Sequence, residues 1–429
     1  MNLVDGKILE TKDCGEVLDT LEMRVLDTLS KPRLSPELVI EACAKLVSSL
    51  EETDYLSAMA EFGIPDVLGR SYVAEARAMF FSKALHRRML TELGDGYNQS
   101  PTYVQASEGI MVKQQLLPLG VLLHVATGNA DGLPAFSVLE GLLTGNINIL
   151  KLPSAEGGVS IRLLQELIQI EPSLSEYIYV FDYSSKDITN INRLVDVADA
   201  VVLWGGIEAV SGFRAMLPPN VKLIEWGHKV SFAYVTKDCM EDERLSGIAQ
   251  NMVSTGQILC SSCQGIFIDT EDMEDVFKFC EHFLPILEAT VLEYSGNVDI
   301  GIKAQAALEE YSAELESVFN SKRIFKGKDC SLTASNDRIL ESAIGLANAW
   351  VKPLPQSMVL DALRPYKNYL QTAALICDEE DTPNLTDRLS KTGVVRICPG
   401  ERMSETYSGA PHDGEYPLRR YTKVMTVEE

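Results

Sequence analysis

Between residues 118 and 227 the chain repeats one pattern: a short run of aliphatic and β-branched residues, then one amphipathic segment of helical length, then another apolar run. The apolar runs fall at 120–127, 147–152, 177–181, 200–204 and 221–225, with helical segments at 134–143, 159–170, 187–195 and 207–216 between them. Strands this uniformly apolar must be covered on both faces, and single intervening helices achieve that when the strands run parallel. The pattern predicts an α/β chain with a Rossmann-type, doubly wound parallel sheet. Such sheets hold ligands at the carboxyl ends of their strands. The residues standing there are Thr127, Gly128 and Asn129, Lys151, Asp182, Gly205 and Gly206, and Glu225 to Gly227.

A second α/β region follows. Its expected strands lie at 231–236, 265–268, 372–376 and 394–397, and its helices at 241–254, 271–293, 302–319 and 383–391. Residues before 100 read as helical, with Ser35-Pro36 as an N-cap and first-turn pair opening 35–50 and a second segment at 73–93. The last twenty residues read as a polar tail. Three parts are expected: 1–227 with its helical N-terminal segment, 228–408, and a tail, 409–429, that returns to the first domain or to a subunit interface.

The formal net charge is −24, from 38 Lys plus Arg against 62 Asp plus Glu. A surface this acidic repels phosphate backbones and anionic membranes, which argues against nucleic acid or membrane as a general partner. Nine irregularly spaced cysteines suit a reducing compartment rather than a disulfide framework. The start carries no apolar signal region, and the apolar run 116–125 contains Pro118 and His124 and is too short to span a bilayer. A cytoplasmic protein is expected.

One stretch carries chemistry. Gly256-Gln257-Ile258-Leu259-Cys260-Ser261-Ser262-Cys263 joins the end of a predicted helix to a short apolar strand. A thiol on such a junction can meet solvent, with backbone N–H groups beside it to hold a developing negative charge. A buried structural cysteine is the plain alternative. Cys260-x-x-Cys263 also has the spacing of a redox pair or half a zinc site, but there is no second such pair and no histidine pair at ligand spacing, so no metal is expected. The ordinary Gly-x-Gly-x-x-Gly fingerprint is absent after the first strand.

Four segments together resemble the aldehyde dehydrogenase superfamily. They are the strand 118–129 ending in Asn129, Gly145-Asn146 through Lys151, Glu225-Trp226-Gly227-His228-Lys229, and Gly256-Gln257 through Cys260. Within it, Cys260-Ser-Ser-Cys-Gln264, Leu370-Gln371-Thr372-Ala373 and His412-Asp413-Gly414 with Pro417-Leu418 are most similar to acyl-CoA reductases of the bioluminescence fatty-acid reductase (LuxC) type. Cys263 stands where that family usually has proline, and the superfamily's Glu-x-Phe-Gly-Pro motif is missing.

The resemblance implies an aldehyde dehydrogenase-like fold, with a nicotinamide cofactor domain in 1–227 and a catalytic thiol domain in 228–408. It implies reduction of an acyl thioester, on CoA or on a protein, to an aldehyde through an acyl-cysteine on Cys260 and a thiohemiacetal. Asn129 would donate to the oxyanion and Glu225 would transfer a proton, although a carboxylate capping a turn is the alternative for Glu225. Lys151 would hold the adenosine ribose or a 2′-phosphate. Ser154 stands where NAD-preferring relatives carry glutamate, which favours NADP(H) over NAD(H), with Glu156 close by. Thr127, Gly128, Gly205, Gly206 and Gly227 would contact the cofactor, a tight turn being the alternative for Gly205-Gly206. Acyl-protein synthetase and acyltransferase partners and a homo-oligomer are also implied. An oxidising aldehyde dehydrogenase and a silent acyl-CoA-binding subunit are the competing readings.

Overall fold

The computed structural model describes residues 1–10, 14–49, 80–98, 100–126, 133–153, 158–294 and 322–428, with scattered positions between 56 and 78 and between 304 and 315. The chain divides into two units: Met1–Asp54, Tyr72–Gly227 and Tyr407–Glu429 form the first, and Tyr55–Ser71 with His228–Thr406 the second.

The first unit contains β1 (Asn2–Val4), β2 (Lys7–Leu9), β3 (Thr102–Ser107), β4 (Ile110–Pro118), β5 (Val121–Val125), β6 (Ile147–Lys151), β7 (Ile178–Phe181), β8 (Ala200–Gly205) and β9 (Lys222–Gly227). Among the described residues its main sheet runs β2-β1-β7-β6-β5-β8-β9. Strands β5 to β9 are parallel, and they are the five apolar runs read from the sequence. Every residue of β5, β6 and β7 is buried, because helices cover both faces. The strand order turns back at β5, which lies between β6 and β8, so their carboxyl ends border the crevice of a doubly wound sheet. The hairpin β1–β2 adds antiparallel to β7, in a region the sequence reads as mostly helical.

His124 on β5 is fully buried, as a core histidine. Its Nδ1 lies 2.7 Å from Ser137 Oγ and its Nε2 2.9 Å from Asn148 Oδ1. Burial pushes its pKa down to about 4, against the Asn148 hydrogen bond, so the ring is neutral at pH 7.

The second unit contains β10 (Val230–Thr236), β11 (Cys263–Asp269), β12 (Arg323–Gly327), β13 (Cys330–Ala334), β14 (Asn348–Pro353), β15 (Leu370–Ile376) and β16 (Arg396–Cys398), in the order β12-β13-β14-β11-β10-β15-β16. All neighbours are parallel except β12 with β13. Alternate side chains serve two cores, as a pleated strand requires. Ala233, Val235, Ile266 and Ile268 pack with Met252, Phe279 and Phe283 on one face, while Phe232, Tyr234 and Phe267 pack with Trp350 and Leu363 on the other. Each large apolar side chain so buried contributes about 1.5–3 kcal/mol. Gly265 is required where β11 passes the Trp350 indole, since a Cβ there would lie 2.0 Å from a ring carbon. The sequence-predicted helix at 302–319 falls largely outside the described residues.

The polar tail carries regular structure. Residues Pro417–Arg420 form a short helix, and β17 (Thr422–Val427) pairs antiparallel with β4, itself paired with β3. All six β3 residues are exposed, so the strand lacks the alternation by which a sequence announces one. Buried Glu92 anchors this tail: one carboxylate oxygen accepts the N–H of Leu418 at 2.9 Å, and the other takes the Arg88 guanidinium at 2.6 Å.

Candidate active site

In the second unit, the helix Asp242–Thr255 leads to the thiol. Asp242 and Glu243 in its first turn complement the helix dipole. Leu245, Ile248, Ala249 and Met252 form its buried stripe. It stops at Gly256, which takes a left-handed φ of 55°, as helix-ending glycines do. Gln257 follows at φ 61°, a conformation that costs a non-glycine residue free energy and that the surrounding bonds must hold.

Those bonds are numerous. The Gln257 amide donates to Cys263 O at 3.0 Å. The Gln264 amide donates to Gln257 O at 2.9 Å, and its carbonyl accepts the N–H of Ala343 at 3.0 Å. Asn251 Oδ1 accepts the N–H of Cys263 at 2.8 Å, and its Nδ2 donates to Ser404 at 2.9 Å. Between these ties, Leu259 and Ser262 close a turn: Ser262 N–H donates to Leu259 O at 3.0 Å, and Leu259 N–H donates to Ser262 Oγ at 3.1 Å. Cys260 sits on this turn with an exposed thiol. The Nε2 of Gln371, on β15, donates to Cys260 Sγ at 3.2 Å. Ser231 Oγ donates to Cys260 O at 2.7 Å and accepts the N–H of Thr372 at 3.0 Å.

Cys263 has a different character. It is fully buried, its thiol donates to Gly265 O at 3.3 Å, and burial pushes its pKa up to about 12. A buried, protonated thiol inside a strand is a packing residue rather than half of a redox pair. Among the described residues no group of His, Cys, Asp and Glu could hold a metal ion, and no helix is long and apolar enough to cross a membrane.

In the first unit, the sequence-selected residues stand at strand ends. Lys151 closes β6 at 5% exposure; burial lowers its pKa, opposed by the charge of Asp182. Gly205 ends β8, Gly206 caps the helix Ile207–Met216, and Gly227 ends β9 in register with Gly205. A Cβ at Gly206 or Gly227 would meet no atom within 4 Å, so both glycines face open space at the end of the sheet. Lys151 at the end of β6, and open space at Gly206 and Gly227 at the ends of other strands of the same sheet, fit the ribose and phosphates of a dinucleotide.

Glu225 lies on β9, and both of its carboxylate oxygens accept from Arg214, at 3.1 and 2.5 Å. Its carbonyl accepts from Arg420 at 3.3 Å, and the Arg420 guanidinium lies 4.9 Å from the Trp226 ring centre. His412 packs on Trp204 and Trp226, with ring centres 5.2 and 5.1 Å away. The tail therefore grips the strand ends that carry Gly205, Glu225 and Gly227. Sequence reasoning left His412 without a role, and nothing local to residue 412 signals those two indoles. Thr127, Gly128, Asn129, Ser154 and Glu156 lie outside the described residues.

Two parallel-sheet units, one bearing an exposed cysteine on a helix-to-strand turn, define the aldehyde dehydrogenase fold. The methylmalonate-semialdehyde dehydrogenase of Oceanimonas doudoroffii superposes with a TM-score of 0.76 at 13% identity, covering 100% of this chain and 97% of that one. The glyceraldehyde-3-phosphate dehydrogenase of Methanocaldococcus jannaschii, solved with NADP, gives 0.73 at 12% identity, covering 98% and 95%. The family model for acyl-CoA reductase (LuxC) matches residues 35–424, and the chain belongs to that family of oxidoreductases. The long-chain acyl-protein thioester reductase of Photobacterium phosphoreum is 24% identical over 365 residues, 80% of this chain and 69% of the relative.

Proposed function

We propose that this protein reduces an acyl thioester, carried on CoA or on a protein, to the aldehyde, with Cys260 as the nucleophile. The observation that carries the reading is the exposed Cys260 thiol, fixed on its turn and hydrogen-bonded by Gln371, in a chain of the acyl-CoA reductase family. A thiolate is the most nucleophilic side chain available at neutral pH. Cys260 Sγ attacks the thioester carbonyl carbon, the bond to the donor sulfur breaks, and the departing thiolate takes up a proton. The acyl group remains on Cys260. The Cys260 N–H and the Asn129 amide are assigned to the oxyanion, at about 3–4 kcal/mol per donor.

A nicotinamide dinucleotide, when bound in reduced form, supplies the hydride. We assign its adenosine end to Lys151 in the first unit, and its phosphates and nicotinamide to Gly205, Gly206 and Gly227 with Thr127 and Gly128. The serine at 154 favours NADPH over NADH. Glu225 is assigned the proton that the new oxygen needs; its Arg214 ion pair must open for this. The thiohemiacetal hydroxyl then returns its proton to Glu225 as the carbon–sulfur bond breaks, which frees the aldehyde and the Cys260 thiolate. Residues 1–227 with the 409–429 tail act as the cofactor domain, and 228–408 as the thiol domain.

Long-chain acyl donors head the substrates to try, as do partners that load and deliver the acyl group. A homo-oligomer is the assembly we assign. The test is direct: acyl-CoA of graded chain length with NADPH should oxidise the cofactor and yield aldehyde, and Cys260→Ala should abolish it. Turnover of aldehyde with NAD, and none of acyl-CoA with NADPH, would overturn the assignment.

A further inference from the structure

We infer that Gln371 is a catalytic residue that stabilises the thiolate form of Cys260. This deepens the function proposed above and rests on it. Gln371 Nε2 donates to Cys260 Sγ at 3.2 Å, and the residue is only 7% exposed. A donor hydrogen bond strengthens as its acceptor becomes charged, so it favours the anion over the neutral thiol. The partly desolvated setting makes the bond count for more than it would in water.

The placement of Gln371 is built in. Its carbonyl accepts the N–H of Val395 at 3.0 Å, which ties it to the chain leading into β16. The next residue, Thr372, donates its N–H to Ser231 Oγ at 3.0 Å, and Ser231 donates onward to Cys260 O at 2.7 Å. The dipeptide Gln371-Thr372 thus holds the nucleophile twice, at its sulfur and, through Ser231, at its carbonyl. Ser231 can serve both because the register of β10 shifts beside it, against β11 and against β15. These ties hold the Gln371 main chain, and the residue's burial limits the places its amide can take.

Among the described residues, several charged groups on the surrounding elements have partners of their own. Lys229, before β10, donates to Asn368 O, and Arg396 of β16 donates to Met403 O and Arg402 O. His228 lies 3.4 Å from Ser342, and Arg402 pairs with Glu405. On the helix before the thiol loop, Asp242, Glu243 and Arg244 occupy the first turn, at the end far from Gly256.

The experiment is the pH profile of Cys260 alkylation by iodoacetamide, read on the Cys260 peptide by mass spectrometry in the full chain. Gln371→Met keeps the bulk and removes the donor. It should move the midpoint up by about one pH unit. Gln371→Glu, equal in shape, sets a carboxylate against the thiolate and should move it further up. Should Gln371→Met lose its native circular dichroism, Gln371→Leu, which likewise has neither donor nor charge, carries the test. A folded variant with the wild-type midpoint overturns the inference, because a merely structural glutamine would leave the profile where it was. The reagent needs no acyl donor or cofactor, so the two claims separate. If Cys260 takes up acyl groups but the midpoint does not move, only the role of Gln371 falls. If the midpoint moves but no acyl group is taken up, the role of Gln371 in ionising the thiol stands and the proposed function falls.

Discussion

Glu225 and Arg214 meet through a two-point ion pair in which both carboxylate oxygens accept from one guanidinium, at 3.1 and 2.5 Å. The arginine side chain is 62% exposed and the glutamate 33%, so the pair adds little to stability. It can open at small cost, which suits a carboxylate that works in one step and rests in another. Glu225→Gln keeps an acceptor for Arg214 but cannot carry a proton. It should lower the steady-state rate of acyl-CoA reduction by about a hundredfold while leaving acylation of Cys260 intact. Arg214→Met should stay within about twofold of the wild-type rate. Wild-type turnover in Glu225→Gln would remove the residue from the chemistry.

Lys151 stands at 5% exposure at the end of β6, where burial lowers its pKa. Keeping a charge there costs the fold free energy, which a polyanionic ligand would offset. Lys151→Met should raise the KM for NADPH by about tenfold or more, as expected when a charged hydrogen bond worth about 1.5–3 kcal/mol is lost. Alkylation of Cys260, measured without cofactor, should not change. An unaltered KM would show that the lysine does not hold the dinucleotide.

Buried His124 gives the fold an acid limit. Burial lowers its folded pKa to about 4, below the ordinary 6.5, so on acidification the unfolded chain gains this proton first. Its contribution to stability is complete above pH 6.5 and is lost as pH falls from there toward 4. The full loss is about 3 kcal/mol. Denaturant unfolding at neutral and mildly acid pH should show this decline, and His124→Gln should flatten it. Parallel pH curves for the two proteins would refute the assignment.

Asn251 ties the last turn of its helix to the start of β11 through the N–H of Cys263 at 2.8 Å. Asn251→Ala strands that buried donor and should cost about 1–3 kcal/mol in denaturant unfolding. It should also broaden the alkylation kinetics of Cys260, since one of the anchors of the thiol turn is gone. A change below about 0.5 kcal/mol would mean that water replaces the amide.

The parallel strands were legible because burial leaves them mostly aliphatic, with few polar residues such as His124 and Asn148 to interrupt the runs, and β5 to β9 fall on the five apolar runs. The thiol turn was legible because Gly256 must end a helix. Other features are visible only in space. Gln371 lies 111 residues from Cys260 and Ser231 lies 29 away; the Leu370–Ala373 segment marks a family resemblance but not a bond to the sulfur, and nothing near Ser231 marks its task. The exposed strand β3 shows no alternation, and β17 finds its partner β4 some 300 residues earlier in the chain, where Lys423 also reaches Leu119 O across 304 positions. The imidazole of His412 is placed by Trp204 and Trp226, which no pattern near residue 412 foretells.

The central claim is that Cys260 becomes acylated. Intact-mass and peptide mass spectrometry after incubation with a long-chain acyl-CoA, without reduced cofactor, measures it directly. One acyl group per chain is expected, on the peptide containing Cys260, lost on adding NADPH and absent in Cys260→Ala. No adduct with any acyl-CoA or acyl-protein donor, or an adduct that persists in Cys260→Ala, would contradict it.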